Sequence, residues 1–292
     1  MIPAAFEYKR PMSLEEAIRY LAERGSDARV LAGGQSLIPA MRYRLAQPAV
    51  LVDINQLPNL RYMQQEGGML TMGALVRDTD VEFDKNIQSR YHLISDVSRV
   101  VADPIVRYRG TVVGSLCHND PSGDWPAAAL AARAQLVIQG SRGSRVESID
   151  DFIVDSFTTS VGEGELVVEV QFPIPSARTS GAYEKIERKV GDFATAAAAI
   201  QIELTEAGMI KDVGVAVTAV AQKPLRVAEA ENILRGEKPT LDLIRAAAAE
   251  AAKIADPNPD ARGSAAYKKD MARVLVGRGL IKTLGRLGVV VA

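Results

Sequence analysis

The sequence holds one cysteine, Cys117, so an internal disulfide framework is excluded. With only two histidines, His92 and His118, it also has too few ligands for an iron–sulfur cluster or a structural zinc of its own. An excess of one charge is missing too: 35 basic residues stand against 36 acidic ones, a formal net charge of −1. Nothing in that balance steers the chain toward nucleic acid or an anionic membrane. The one hint of a membrane is the terminal run Leu287-Gly288-Val289-Val290-Val291-Ala292, far too short to span a bilayer. It is expected to pack on the body of the protein or on a partner. Residues 1–8 lack a basic region followed by an apolar stretch, so no secretory signal is expected and the cytoplasm is the favoured compartment. Both standard nucleotide signatures are absent: no G-x-G-x-x-G follows a strand, and no G-x-x-x-x-G-K-S/T occurs. Phosphate binding, if present, must use another geometry.

What remains is an ordinary globular composition, 47% apolar and 24% charged, with length enough for about two domains. Ser13-Leu14-Glu15-Glu16 reads as a capping box, with the Glu16 carboxylate reaching back to the cap. Leu14, Ala17, Ile18 and Leu21 then share one helical face, and Gly25 can end that helix in the left-handed conformation. A short strand over 29–32, a helix over 37–45 and an apolar strand over 50–54 complete an opening at α/β spacing. Strands are expected at 69–75, 135–139 and 166–172, and helices at 91–101 and from Trp125 to about Arg133. Pro173-Ile174-Pro175-Ser176 suits an extended linker. Beyond it, 194–204 and 210–220 form a hairpin pattern around Ala207-Gly208, followed by helices over 227–234, 241–254 and 264–284. The last is basic and amphipathic.

Two glycine-bearing turns could carry chemistry. Ala32-Gly33-Gly34-Gln35-Ser36 joins a strand to a helix that begins at Leu37. Glycines let backbone N–H groups approach a phosphate, and a helix start adds partial positive charge. Ser36 can cap that helix and donate to a phosphate oxygen. The same residues also read as a plain tight turn. The second segment, residues 111–126, is a long non-periodic stretch in which Thr111, Ser115, Asn119, Ser122 and Asp124 offer donors and acceptors. It also reads as a solvated loop. Cys117-His118 gives a poor nucleophile pair if the chain is extended there, and His118 with Asp120 and Asp124 gives a poor metal site without a fourth ligand. Arg99, Arg107 and Arg109 could form a solvated face, touch phosphate or meet a partner.

Together, Ala32-Gly33-Gly34-Gln35-Ser36, Thr111-Val112-Val113-Gly114-Ser115 and the later Asp120-Pro121-Ser122-Gly123-Asp124-Trp125-Pro126 resemble the FAD-binding medium subunit of carbon-monoxide-dehydrogenase-type molybdenum hydroxylases, in the xanthine dehydrogenase superfamily. The resemblance extends over essentially the whole chain. It implies an α+β fold: a two-lobed vanillyl-alcohol-oxidase-type (PCMH-type) FAD-binding domain, then a C-terminal α+β domain with a small antiparallel sheet and helices. The implied divisions are 1–58, 59–175 and 176–292. It further implies FAD on this chain, with the molybdenum cofactor on a large partner subunit and iron–sulfur clusters on a small one, in a dimer of heterotrimers. Both turns, Ala32 through Leu37 and Thr111 with Gly114 and Ser115, would wrap the FAD diphosphate. Cys117 sits at the end of the second turn. By the same resemblance Val101, Asp124, Val167 and Lys185 match flavin or adenosine contacts, and Phe193 matches an aromatic beside the flavin ring.

Lys185 would then stabilise the reduced flavin by its charge; alternatively it is a solvated strand residue beside Glu184 and Glu187. Where the second turn often carries two glycines, this chain has Val113 before Gly114. A β-branched residue disfavours positive φ, so the expectation is an extended backbone with Val113 pointing away. Two other functions fit the same fold: a nucleotide-binding or assembly module without flavin, and a stand-alone flavin reductase using a pyridine nucleotide.

Overall fold

A computed structural model describes residues 1–291. Residues at the start of the chain form β1 (Glu7–Lys9), α1 (Leu14–Arg24), β2 (Ala28–Leu31), α2 (Leu37–Arg42) and β3 (Val50–Asp53). The strands pair in parallel in the order β1-β3-β2. Ser13 caps α1 by accepting from the Glu16 amide. The Glu16 carboxylate reaches one residue beyond the expected cap and accepts from Met12 N at 2.8 Å. Gly25 ends the helix at φ 49° and ψ −127°, a positive φ outside the left-handed well that was expected.

The second lobe is an antiparallel sheet with several short helices. Its elements are β4 (Met63–Glu66), β5 (Met69–Gly73), α3 (Asp78–Phe83), α4 (Lys85–Arg90), α5 (His92–Val100), α6 (Pro104–Arg107), α7 (Val112–His118) and α8 (Asp124–Ala131). After these come β6 (Gln135–Gly140), β7 (Gly143–Ser148), α9 (Ile149–Phe152), β8 (Ile153–Asp155), β9 (Thr158–Thr159) and β10 (Leu166–Pro173). The large sheet runs β4-β5-β10-β6-β7, and β8 and β9 form a separate pair. One continuous core serves both lobes: Ala17, Leu21 and Val52 of the first pack into the same cluster as Met72, Leu116, Trp125 and Phe172 of the second. Pro173 closes β10, and the Ile174 amide bonds Gly68 O at 2.9 Å, so the linker begins a residue later than its sequence suggests.

The remainder forms β11 (Thr179–Ile186), β12 (Ala196–Leu204), β13 (Ile210–Thr218), β14 (Leu225–Arg226), α10 (Ala228–Leu234), α11 (Leu241–Ile254) and α12 (Ala265–Arg286). The strands make one antiparallel sheet in chain order. Side chains alternate across a strand. Ala197, Ala199 and Ala216 therefore join the N-terminal core, while Ala196, Ala198, Ile200 and Val215 face a second core built with α10, α11 and α12. The alanines keep the sheet thin and let α8, buried at every residue, lie against β12 and β13. Contact is so close that a Cβ on Gly214 would overlap the Ala131 carbonyl. Leu287, Val289 and Val291 pack on the second core, as the terminal run was expected to do; its last residue, Ala292, lies outside the described residues.

Candidate functional site

Beyond β2 the chain leaves the sheet at Ala32, turns through Gly34 at φ +75°, and enters α2 at Leu37. Ser36 has helical dihedrals and its side chain caps nothing, which corrects the expectation of an N-cap. What the turn presents instead is main chain. Among the described residues, the amides of Gly33, Gly34, Gln35, Ser36 and Leu37 donate to no protein acceptor. Consecutive unpaired N–H groups at a helix start form a concavity suited to an anion.

The second segment is a helix where a loop was expected. Thr111 is extended, at φ −125° and ψ 143°, and its Oγ1 accepts from the Gly114 amide at 3.1 Å. That cap starts α7, and Val112, Val113 and Leu116 anchor it in the core. Val113 is therefore neither left-handed nor extended but helical, with its side chain buried; Gly114 and Ser115 lie half-buried on the first turn. Cys117 is open to solvent at the other end of α7, yet protein around it pushes its thiol up to about 12.

The two turns meet. A Cβ built on Gly33 would overlap the Arg109 carbonyl and lie 3.0 Å from Gly110 Cα, directly before Thr111. Two side chains absent from the sequence reading, Asn55 and Arg77, tie this junction. Asn55 Nδ2 donates to Ala32 O at 2.8 Å, and its Oδ1 accepts from Arg77 Nη2 at 2.6 Å. Arg77 Nη1 donates to Arg109 O at 2.5 Å, and its backbone bridges to Thr111. Asn55 is held in turn by Asp53 Oδ1 at 2.6 Å. No local pattern marks a pair 22 residues apart.

A second group of expected residues gathers at the seam with the C-terminal sheet. Lys185 on β11 is buried, its side chain 4% exposed, which overturns the solvated alternative. Its Nζ lies 2.9 Å from Asp124 Oδ2, 2.9 Å from Val100 O and 3.3 Å from Glu187 Oε2. Tyr183 Oη donates to the other Asp124 oxygen at 2.7 Å. Burial pushes the Asp124 carboxyl above the usual carboxylate range, against the pull of the Lys185 charge and the Tyr183 hydroxyl. Lys185 thus faces two carboxylates, and its charge is neutralised before any ligand meets it. Val101, half-buried, follows the Val100 carbonyl, and Phe193, 47% exposed, stands on the loop that returns past Ala102 and Asp103.

The groups are joined by a buried chain of hydrogen bonds. Asp78 N donates to Gly110 O at 3.1 Å, and Asp78 Oδ1 accepts from Trp125 Nε1 at 2.9 Å, next to Asp124. Burial raises the Asp78 carboxyl to about 7. Only Val167 stands apart: it is 3% exposed in the core, beside a bulge of β10, the strand on which α7 packs. Of the three arginines for which a solvated face, a phosphate contact or a partner contact was open, Arg107 is buried against Glu82 at 2.8 Å, while Arg99 and Arg109 are exposed. The donor set fits a dinucleotide: unpaired main-chain amides of the kind a diphosphate needs, joined through Asp78 and Trp125 to a charged, partly apolar seam.

The family described as "FAD binding domain in molybdopterin dehydrogenase" matches residues 4–175, and "CO dehydrogenase flavoprotein C-terminal domain" matches residues 181–283. The chain belongs to this family of FAD-binding medium subunits. It is 39% identical to the carbon monoxide dehydrogenase medium chain of Hydrogenophaga pseudoflava, over 96% of this chain and 97% of that one. It is 35% identical to the 6-hydroxypseudooxynicotine dehydrogenase complex subunit alpha of Paenarthrobacter nicotinovorans, over 98% and 97%. Among solved structures, carbon monoxide dehydrogenase from Hydrogenophaga pseudoflava, lacking the Mo-pyranopterin moiety of its cofactor, superimposes with a TM-score of 0.95 at 40% identity, covering 98% of this chain and 99% of that chain. The medium subunit therefore has the expected PCMH-type FAD-binding fold with a C-terminal α+β domain. It is an FAD-binding electron-transfer subunit of a heteromeric molybdenum hydroxylase, alongside a large molybdenum subunit and a small iron–sulfur subunit. Among the described residues, no helix is long and apolar enough to cross a membrane.

Proposed function

We propose that FAD lies extended along the junction of the two N-terminal lobes, its diphosphate on the main chain of Ala32, Gly33, Gly34, Gln35, Ser36 and Leu37 and on Thr111, Gly114 and Ser115. The observation that carries this is the near-contact of Gly33 with Arg109 and Gly110, which makes one cradle of two distant segments. The flavin end then runs past Val101, Cys117, Asp124 and Lys185 toward Phe193, with Val167 behind them in the core. When bound, FAD would accept two electrons, one at a time, from the iron–sulfur partner and pass them to an outside acceptor. The chain's own part is to grip and orient: amides hold the phosphates, and the neutralised Lys185–Asp124 pair fixes the seam without adding net positive charge. Divisions at 58 and 175 follow the change from a parallel to an antiparallel sheet and the linker after β10.

The assembly is a dimer of heterotrimers in the cytoplasm. Substrate choice lies outside this subunit. In support, relatives named for carbon monoxide and for 6-hydroxypseudooxynicotine match this chain about equally along nearly their whole length. Two measurements test the reading. Flavin released by denaturing the purified complex and read by its fluorescence is expected to give about one FAD per medium chain; a complex that holds no flavin and takes up none when FAD is added refutes it. Light scattering of the purified assembly is expected to give twice the mass of one heterotrimer, and a single heterotrimer would refute the stoichiometry.

A further inference from the structure

Arg107 has no role in the cradle, yet it is 7% exposed and fully engaged. Nε and Nη2 grip Glu82 at 2.8 and 3.2 Å, and Nη1 donates to the carbonyls of Val101 and Ala102 at 3.1 and 3.0 Å. Lys185 takes the preceding carbonyl, Val100 O, at 2.9 Å. Three consecutive carbonyls are thus drawn inward by two buried cations. In a planar trans peptide the N–H points opposite to the C=O. The amides of Ala102 and Asp103 must therefore point outward, and neither has a protein acceptor among the described residues. Ala102 holds φ +46°, a left-handed value that costs a non-glycine residue roughly 1 kcal/mol. Such a residue persists only where its surroundings enforce it, and here Arg107 does so. Gly191, at φ +86°, packs on this peptide so closely that a Cβ would sit 3.2 Å from Asp103 N. Phe193 follows two residues later.

We propose that Arg107, paired with Glu82, is a positioning residue for the flavin: it keeps the Ala102 and Asp103 amides turned into the cleft beside Phe193, where they donate to acceptor atoms on the flavin ring edge. This rests on the placement of FAD proposed above. Donors fixed there stabilise the reduced form, which gathers negative charge on that edge, more than the oxidised form. The pair, and not the Lys185 charge, is then what tunes the cofactor.

The test is the FAD midpoint potential in the intact complex, with flavin content read alongside. The double variant Arg107→Met with Glu82→Gln removes both charges and leaves no buried ion unpaired. It is expected to keep its flavin on the diphosphate cradle while reduced FAD binds about tenfold less tightly relative to oxidised FAD, a fall of about 30 mV for a two-electron couple. Gly191→Ala, which touches neither charge, covers the Asp103 amide with a methyl group and is expected to lower the potential in the same direction. It also decides the matter if the double variant fails to assemble. A flavin-loaded variant of either kind with an unmoved potential overturns the proposal. Gly33→Ala separates the two claims: flavin loss there with an unmoved potential in the Arg107 and Gly191 variants removes the clamp alone, whereas full retention there removes the placement of FAD itself.

Discussion

Replacing Gly33 by alanine probes the cradle at its narrowest point. The new methyl group would overlap the Arg109 carbonyl and press on Gly110 Cα at 3.0 Å, both main-chain atoms with no rotamer to escape into. Gly33 does not have positive φ, so the substitution carries no intrinsic conformational cost and its effect is the collision alone. Overpacking of this kind costs roughly 1–3 kcal/mol. It is relieved by moving the two turns apart, which stretches the Asn55–Arg77 tie and withdraws amides on one side from the phosphates. Losing two charge-assisted hydrogen bonds at roughly 1.5 kcal/mol each weakens FAD by about 3 kcal/mol, or about a hundredfold in Kd. The assay is FAD titration of the flavin-stripped subunit, followed by quenching of flavin fluorescence, with a thermal melt beside it. Gly208→Ala is the control: its φ is +77° with nothing within 4 Å of the added Cβ, so it carries backbone strain without any collision. Wild-type affinity and an unshifted melt in Gly33→Ala would refute the convergence of the two turns.

Further outcomes follow from neighbouring groups. Gly34→Val combines a strained φ of +75° with contacts near 3.1 Å to Leu31 and 3.2 Å to Ile38, and is expected to lower FAD retention in the purified subunit; unchanged flavin content would contradict the first turn's role. Asp78, raised by burial from 3.8 to about 7, favours the protonated form on folding. Its contribution is full below about pH 4 and is lost as pH rises through 7, by an amount on the order of 4 kcal/mol. Denaturation between pH 5 and 8 is expected to show a falling stability that Asp78→Asn flattens while still accepting from Trp125; parallel curves would exclude this linkage. Tyr183→Phe deletes a donor to the buried Asp124 carboxylate and is expected to cost roughly 1–3 kcal/mol in chemical denaturation, with a loss below 0.5 kcal/mol counting against the seam network.

Much of the fold could be read from periodicity and caps. Ser13 accepts from the Glu16 amide at the start of α1 as its sequence suggests, while α11 and α12 were legible from their ranges alone and their caps, Thr240 and Ser264, emerge only in the structure. What escaped reading has physical reasons. β4 is almost wholly exposed, so no alternation betrays it. The start of α3 buries Asp78 and Thr79 instead of an apolar face. α7 opens with β-branched Val112 and Val113 and continues through Gly114 and Ser115, poor helix formers that the Thr111 cap and core packing override. For the site, the glycine turns were visible because they depend on local geometry. Asn55 and Arg77 were not, because they act on main-chain carbonyls 23 and 32 residues away; nor was the inward pull of Arg107, because its local carbonyls are turned toward it only by the left-handed backbone at Ala102.

The alanine-lined strand β12 has a mechanical consequence. With methyl groups on both faces and α8 pressed against it, the C-terminal sheet has no slack along which to slide or hinge away. Any such motion would tear Lys185 from Asp124 and from Val100, the contacts that tie the C-terminal sheet to the second lobe. A front portion severed from the last third of the chain is therefore expected to lose this tie and to hold FAD less tightly.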